Sequence, residues 1–312
     1  MSRPRAVALV ICGLVAARAV GAETPPTYLL SWGSPGTGAG QFDQPFALAV
    51  DGAGFVYVAD KGNNRIQKFT GNGAFVTMWG TPGSGQGQFQ SPFGVAVDTP
   101  GNVYVSDSGN YRVQKFASDG TFLREWGSNG SADGQFIGPG AVACDASGKV
   151  YVMDRGNLRV DRFTADGVFI TSWGSNASPA GIATDLSQHV FVAEPCYVVT
   201  RFTDEGVFIG DCGMAGYVEC ANPGGLATDS GGNVYLVKPD LSRVAKFDPN
   251  GTLLVEWGAP SQGGLLSLPA GIAVDGAGNI FVSDLDDQIL KFAPSSTPAL
   301  RATWGRVKAA YR

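Results

Sequence analysis

Histidine is almost missing from this chain, with His189 the single one in 312 residues. Triads that use an imidazole as base are therefore hard to build. His189 reads as a turn or core residue. The five cysteines include no Cys-x-x-Cys pair, and without histidine partners a structural zinc site is disfavoured. Charge is sparse at 16%, and nowhere do the 22 basic residues concentrate into a patch. That excludes phosphate-backbone binding, so nucleic acid is not an expected partner. Anionic membrane surfaces are disfavoured for the same reason. The apolar run at residues 6–17 is too short to span a bilayer comfortably.

That run follows Arg3 and Arg5 and precedes Val20-Gly21-Ala22, small or short residues of the kind signal peptidase reads. Residues 1–22 are expected to be a signal peptide cleaved after Ala22, leaving a secreted or periplasmic chain with no membrane insertion. Removing Arg3, Arg5 and Arg18 and no acid leaves 19 basic against 27 acidic groups, a net charge of −8. The 45 glycines and the 11% aromatic share fit many short strands joined by tight turns.

An internal repeat organises the rest. Pro45, Pro92, Pro139, Pro179, Pro223 and Pro269 each open the same pattern, at steps of 47, 47, 40, 44 and 46 residues. Six residues after each stands an aspartate: Asp51, Asp98, Asp145, Asp185, Asp229 and Asp275. The second unit shows four strands most cleanly, at residues 94–98, 103–106, 112–116 and 122–127. Asp98-Thr99-Pro100-Gly101-Asn102 and Ser118-Asp119-Gly120 between them are turn compositions. Gly94, Ala96 and Asp98 alternate with Val95 and Val97, which gives one small and one bulky sheet face. A sheet with two apolar faces needs neighbours, and six in a ring supply them. The expected fold is all-β, a six-bladed β-propeller of four-stranded antiparallel blades over residues 23–305, with a tail at 306–312. Trp79, Trp126, Trp173 and Trp257 near the ends of fourth strands read as packing between blades.

The segments Pro-x-Gly-Val-Ala-Val-Asp, Gly-Asn-Val-Tyr-Val-Ser-Asp and Gly-Asn-Tyr-Arg-Val-Gln-Lys-Phe of the second unit resemble the NHL repeat. The resemblance runs over roughly residues 28–305 and is specific for fold. For function it implies little, because the family includes RNA-binding domains of ubiquitin ligases, an amidating lyase, and bacterial sensor and extracellular domains. That lyase holds its zinc with several histidines, a set that His189 alone does not supply.

Seven segments resemble a fourth strand where six suffice. Leu30-Ser31-Trp32-Gly33 precedes the first unit and Ala302-Thr303-Trp304-Gly305 follows the sixth. Either could close the ring; the N-terminal strand is favoured.

Asp60, Asp107, Asp154, Glu194 and Asp284 share one repeat position, and in the first three units the acid opens Asp-x-Gly-Asn-x-Arg, ending at Arg65, Arg112 and Arg159. Repetition argues for an Asp-Arg tie across a hairpin turn rather than for catalysis. Departures from the repeat are the more informative places, and they gather in units four to six. The turns become Glu194-Pro195-Cys196-Tyr197, Lys238-Pro239-Asp240 and Asp284-Leu285-Asp286-Asp287. A binding face there would present Glu194, Tyr197, Lys238, Asp240, Asp284, Asp286 and Asp287. Calcium is a possible occupant of Asp284, Asp286 and Asp287; no other cofactor is expected.

Cys212 stands in place of the usual Trp, with Cys220 eight residues on, so a Cys212 to Cys220 disulfide is the first expectation. Cys196 could instead pair with either. Cys144, in a first strand, reads as a buried free thiol. The residue after each opening proline is Phe46, Phe93, Gly140, Ala180, Gly224 and Ala270, so two adjacent blades carry phenylalanine at the channel mouth. This lopsided rim could dock a peptide, lipid or sugar face, or be plugged by its own loops. The favoured function is a non-catalytic extracellular or periplasmic module binding a protein, peptide or glycan. The alternative is a metal-dependent lyase or lactonase with its site at the channel mouth.

Overall fold

A computed structural model describes residues 23–175, 180–212, 222–258 and 265–294. Within them lie six four-stranded antiparallel sheets arranged as the expected propeller. The first blade runs Pro45–Val50, Val56–Asp60, Arg65–Phe69 and Phe75–Trp79 in plain meander order. Four more blades repeat it. The sixth takes Pro269–Val274, Ile280–Asp284 and Gln288–Phe292 from the C-terminal side and Tyr28–Trp32 from the N-terminal side. Leu30 pairs with Lys291 and Trp32 with Ile289, so the N-terminal strand closes the ring as favoured. Trp304 lies outside the described residues, as do residues 1–22.

The second strands explain why no blade stands alone. In Val56–Asp60, Val103–Asp107, Val150–Asp154, Val190–Glu194, Val234–Lys238 and Ile280–Asp284 every residue is buried, so both faces of each sheet are covered. The cores accordingly form between blades. One joins Tyr57, Ala59 and Ile66 of the first blade to Phe89, Val103 and Phe116 of the second. Another joins Phe42, Val58 and Phe69 to Phe281 and Ile289 of the sixth. The expected tryptophan role holds: Trp32, Trp79, Trp126, Trp173 and Trp257 pack on Phe69, Phe116, Phe163, Phe202 and Phe292 of the next blade.

Around the axis the first strands meet closely. A Cβ on Gly94 would lie 2.7 Å from the Gly140 carbonyl oxygen of the next blade, so only glycine fits there. The Ser283 hydroxyl donates to the Phe46 carbonyl (2.7 Å), and the Gly225 N–H to the Ala270 carbonyl (2.6 Å), tying neighbouring blades at the centre. The channel is thereby pinched to a void of about 60 Å³ lined by Ala47, Gly94, Ala141, Gly181, Gly225 and Gly271.

Candidate functional site at the channel mouth

The two ends of the ring differ in chemistry. At the end carrying the turns between first and second strands, a cavity of about 270 Å³ is ringed by Asp145, Asp185, Asp229 and Asp275. These carboxylates are occupied. Asp145 accepts the Ser147 and Lys149 N–H groups at 2.9 Å each and the Tyr151 hydroxyl at 2.8 Å. Asp51, Asp98 and Asp229 also accept a tyrosine hydroxyl. Burial, then the neighbouring carboxylate, pushes the Tyr57, Tyr104 and Tyr151 hydroxyls well above the ordinary tyrosine range. His189 sits at this end too, its Nδ1 2.8 Å from Asp185 Oδ2. This aspartate set caps turns.

At the other end the repeated acid pins the loops that form the mouth. Asp60 accepts the Asp43 N–H (2.9 Å), the Arg65 Nε (2.7 Å) and the Gln67 amide (2.9 Å). Its carboxylate thus holds the loop leading to Phe46 against the turn that begins at Lys61. Asp107 does the same for Gln90 and Arg112, at 2.7 and 2.9 Å. In the third blade Asp154 accepts the Ile137 N–H (2.8 Å), while Arg159 stands 3.6 Å away. The Asp-Arg tie expected from the repeat is present, and it serves to position the mouth.

The mouth itself is a cavity of about 590 Å³, and both rim phenylalanines line it. Phe46 and Phe93 pack against each other, tilted by 47° with ring centroids 4.2 Å apart. Lys61 Nζ lies 5.2 Å from the Phe46 ring and 5.8 Å from Phe93, and the Arg155 guanidinium lies 5.1 Å from Phe93. Ala180, Pro223, Pro239, Pro269, Ala270 and Leu285 also line it, and among the described residues Asp240 is its acid. A second recess of about 510 Å³, between the second and third blades, shares Lys61, Phe93 and Arg155.

Lys61 and Arg155 were not expected from the sequence. Both occupy the residue after the repeated acid, where the six units carry Lys61, Ser108, Arg155, Pro195, Pro239 and Leu285. Aligning that column, as for Phe46 and Phe93, would have found them.

The binding face expected on blades four to six is largely not presented to solvent. Glu194, Tyr197, Lys238 and Asp284 are buried. Asp284 accepts the Ser267, Leu268 and Asp286 N–H groups at 2.8, 3.0 and 3.1 Å, the structural duty of Asp60. Glu194 accepts the Ser175 hydroxyl at 3.1 Å. Lys238 stands in the acid's place, ion-pairs with Glu256, and lies 5.5 Å from the Tyr197 ring. Burial lowers its pKa while the Glu256 carboxylate opposes that shift. These unusual residues replace the repeat's buried polar ties. Asp240 and Asp286 are exposed, and Asp287 is half-buried and accepts the Gln44 N–H at 3.0 Å. Among the described residues no group of three or more His, Cys, Asp or Glu is arranged to hold a metal ion.

Cys144 is a free thiol, and burial pushes its pKa well up. Cys196 is disulfide-bonded. The Cys212 to Cys220 pairing lies outside the described residues, since Cys220 and the Cys212 side chain are not among them.

The fold and its mouth place the chain among six-bladed β-propellers. It carries NHL repeats, which the family model matches at residues 42–69 and 89–116. A 46-residue segment is 50% identical to the E3 ubiquitin-protein ligase TRIM71 of Mus musculus, covering 15% of this chain and 5% of that protein. The Rattus norvegicus TRIM71 is 47% identical over 47 residues, 15% of this chain and 6% of that protein. Among solved structures, the virginiamycin B lyase of Staphylococcus aureus with quinupristin superposes at TM-score 0.59 and 17% identity, covering 83% of this chain and 82% of that one. A gluconolactonase of Xanthomonas campestris gives 0.61 and 16%, covering 90% and 98%. A Bacteroides thetaiotaomicron protein of unknown function gives 0.64 and 21%, covering 84% and 74%. At these identities the likeness is one of fold.

Proposed function

We propose that this chain is an exported, non-catalytic binding module that grips a protein, peptide or glycan at the channel mouth, in a secreted or periplasmic setting. One observation carries the reading: the paired Phe46 and Phe93 rings, with Lys61 and Arg155 beside them, open on a cup of about 590 Å³. A concave site of this size with few polar groups at one edge is the usual form of a ligand pocket. Aromatic rings supply contact area at low entropic cost. The N-terminal segment supports export, and the scarcity of histidine disfavours an imidazole-based reaction.

The test is capture of partners from the native extracellular fraction by the wild type and by a Phe46→Ser, Phe93→Ser variant. The variant is expected to lose the captured species; equal capture by both would refute the mouth. A second reading, a lyase or lactonase, draws on the fold shared with such enzymes. Its expected sign is a shift in melting temperature on adding calcium or a chelator to the purified chain.

A further inference from the structure

We propose that the mouth cup recognises a small amphiphilic monoanion, a carboxylate joined to an apolar body. The carboxylate would sit between Lys61 and Arg155. The inference deepens the mouth-binding reading and rests on it.

The two cations are the first ground. Lys61 and Arg155 both lie within cation-π range of Phe93, so two like charges share one ring. No ion pair to either occurs among the described residues. The contrast with the arginines one turn deeper is sharp. Arg65 and Arg112 each donate to an aspartate and to three backbone carbonyls. Those are consumed by structure, whereas Lys61 and Arg155 face the cavity. An anion bound beside them would gain charge-assisted hydrogen bonds. The planar guanidinium of Arg155 suits the two oxygens of a carboxylate.

The rest of the lining sets the number of charges and the shape of the body. Among the described residues Asp240 is the acid that lines the cup against those two bases, so a single negative charge complements them better than a dianion. Away from Asp240 and Asn222, the lining residues Ala180, Pro223, Pro239, Pro269, Ala270 and Leu285 are apolar and stiffened by their prolines. An apolar group fits there. The anionic end then lies at the Phe93 edge, where both cations stand.

N-acetylphenylalanine and its amide are the probes, measured by calorimetry on the mature chain at low and high salt. The acid is expected to bind about tenfold more tightly than the amide, and the preference to shrink as salt rises. A Lys61→Met, Arg155→Met variant should erase the preference while melting as the wild type does, because neither side chain ties the fold. Acid and amide binding within twofold of each other, a preference surviving in that variant, or no binding of either at millimolar concentration would each overturn the proposal. The tripeptide Ala-Ala-Phe with a free carboxylate separates sources: tighter binding than the acetylated residue supports a chain terminus, weaker binding a free small molecule. Loss of partner capture by the phenylalanine variant, together with no acid preference, would sink the ligand class and leave the mouth standing.

Discussion

The indole of Trp79 crosses the blade boundary and packs on Phe116, with ring centroids 5.8 Å apart. The contact requires Gly120, at φ +91°, where a Cβ would lie 2.7 Å from Trp79 Cδ2. Tryptophan, phenylalanine and glycine thus form one unit that fastens the first blade to the second. The rings add about 1 kcal/mol beyond the area they bury.

Gly120→Ala is therefore expected to destabilise the chain by about 1–3 kcal/mol, through backbone strain at positive φ and a clash with the indole. Urea unfolding followed by tryptophan fluorescence measures it. An unchanged midpoint would mean that the turn relaxes without disturbing the boundary.

How far the sequence carried the structure follows from where the information sits. The strands, the turns, the Asp60 to Arg65 tie and the role of the tryptophans were legible because each is local and recurs in register. Closure by Tyr28–Trp32 was legible as a fourth strand with no blade of its own. The mouth was half legible: Phe46 and Phe93 fall in one repeat column, but Lys61 and Arg155 join them only when the ring brings a second column to the same rim. The irregular turns of blades four to six misled because a buried polar exchange departs from the repeat in the same way as an exposed binding surface does. Lys238 shows the reason: its compensating carboxylate, Glu256, lies 18 residues on, and nothing local announces the exchange.

That exchange is testable. Glu256 serves both Lys238 and, at 3.3 Å, Arg243. Replacing it by glutamine removes the carboxylate from a buried lysine and is expected to cost about 3 kcal/mol. Adding Lys238→Met should recover most of that, because the buried charge goes with it. Equal instability of the single and double variants in urea would show that the two side chains do not act as a pair.

Thiol chemistry separates the two described cysteines outside the strand ending at Cys212. Burial first, and then the carboxylates of Asp98 and Asp145, raise the Cys144 pKa well above the usual thiol range, leaving little thiolate to react. Cys196 is bonded. Iodoacetamide at neutral pH is expected to label Cys144 slowly, and Cys196 only after reduction or unfolding. Peptide mapping by mass spectrometry reads both, and fast native labelling of Cys196 would contradict its bonded state.

A pH dependence is built into the third blade. Where the first two blades carry Gln67 and Gln114, this one carries Asp161, whose Oδ1 lies 3.0 Å from Arg159 Nε. Burial pushes its pKa up to about 7, against the pull of Arg159 and with the push of Asp154. The folded pKa is thus above the unfolded value of 3.8, and between the two the folded chain binds the extra proton. Asp161 therefore favours the fold most below about pH 4, and that contribution is lost as the pH rises toward 7. Asp161→Gln restores the residue of the other blades, whose amide donates to the repeated aspartate, as Gln67 does to Asp60. The variant is expected to melt on the order of 3 °C higher at pH 8, with a smaller gain at pH 4 and a flatter profile between. Calorimetry of both chains from pH 4 to pH 8 decides it: parallel profiles would show that Asp161 keeps its charge throughout, and that Arg159 outweighs burial.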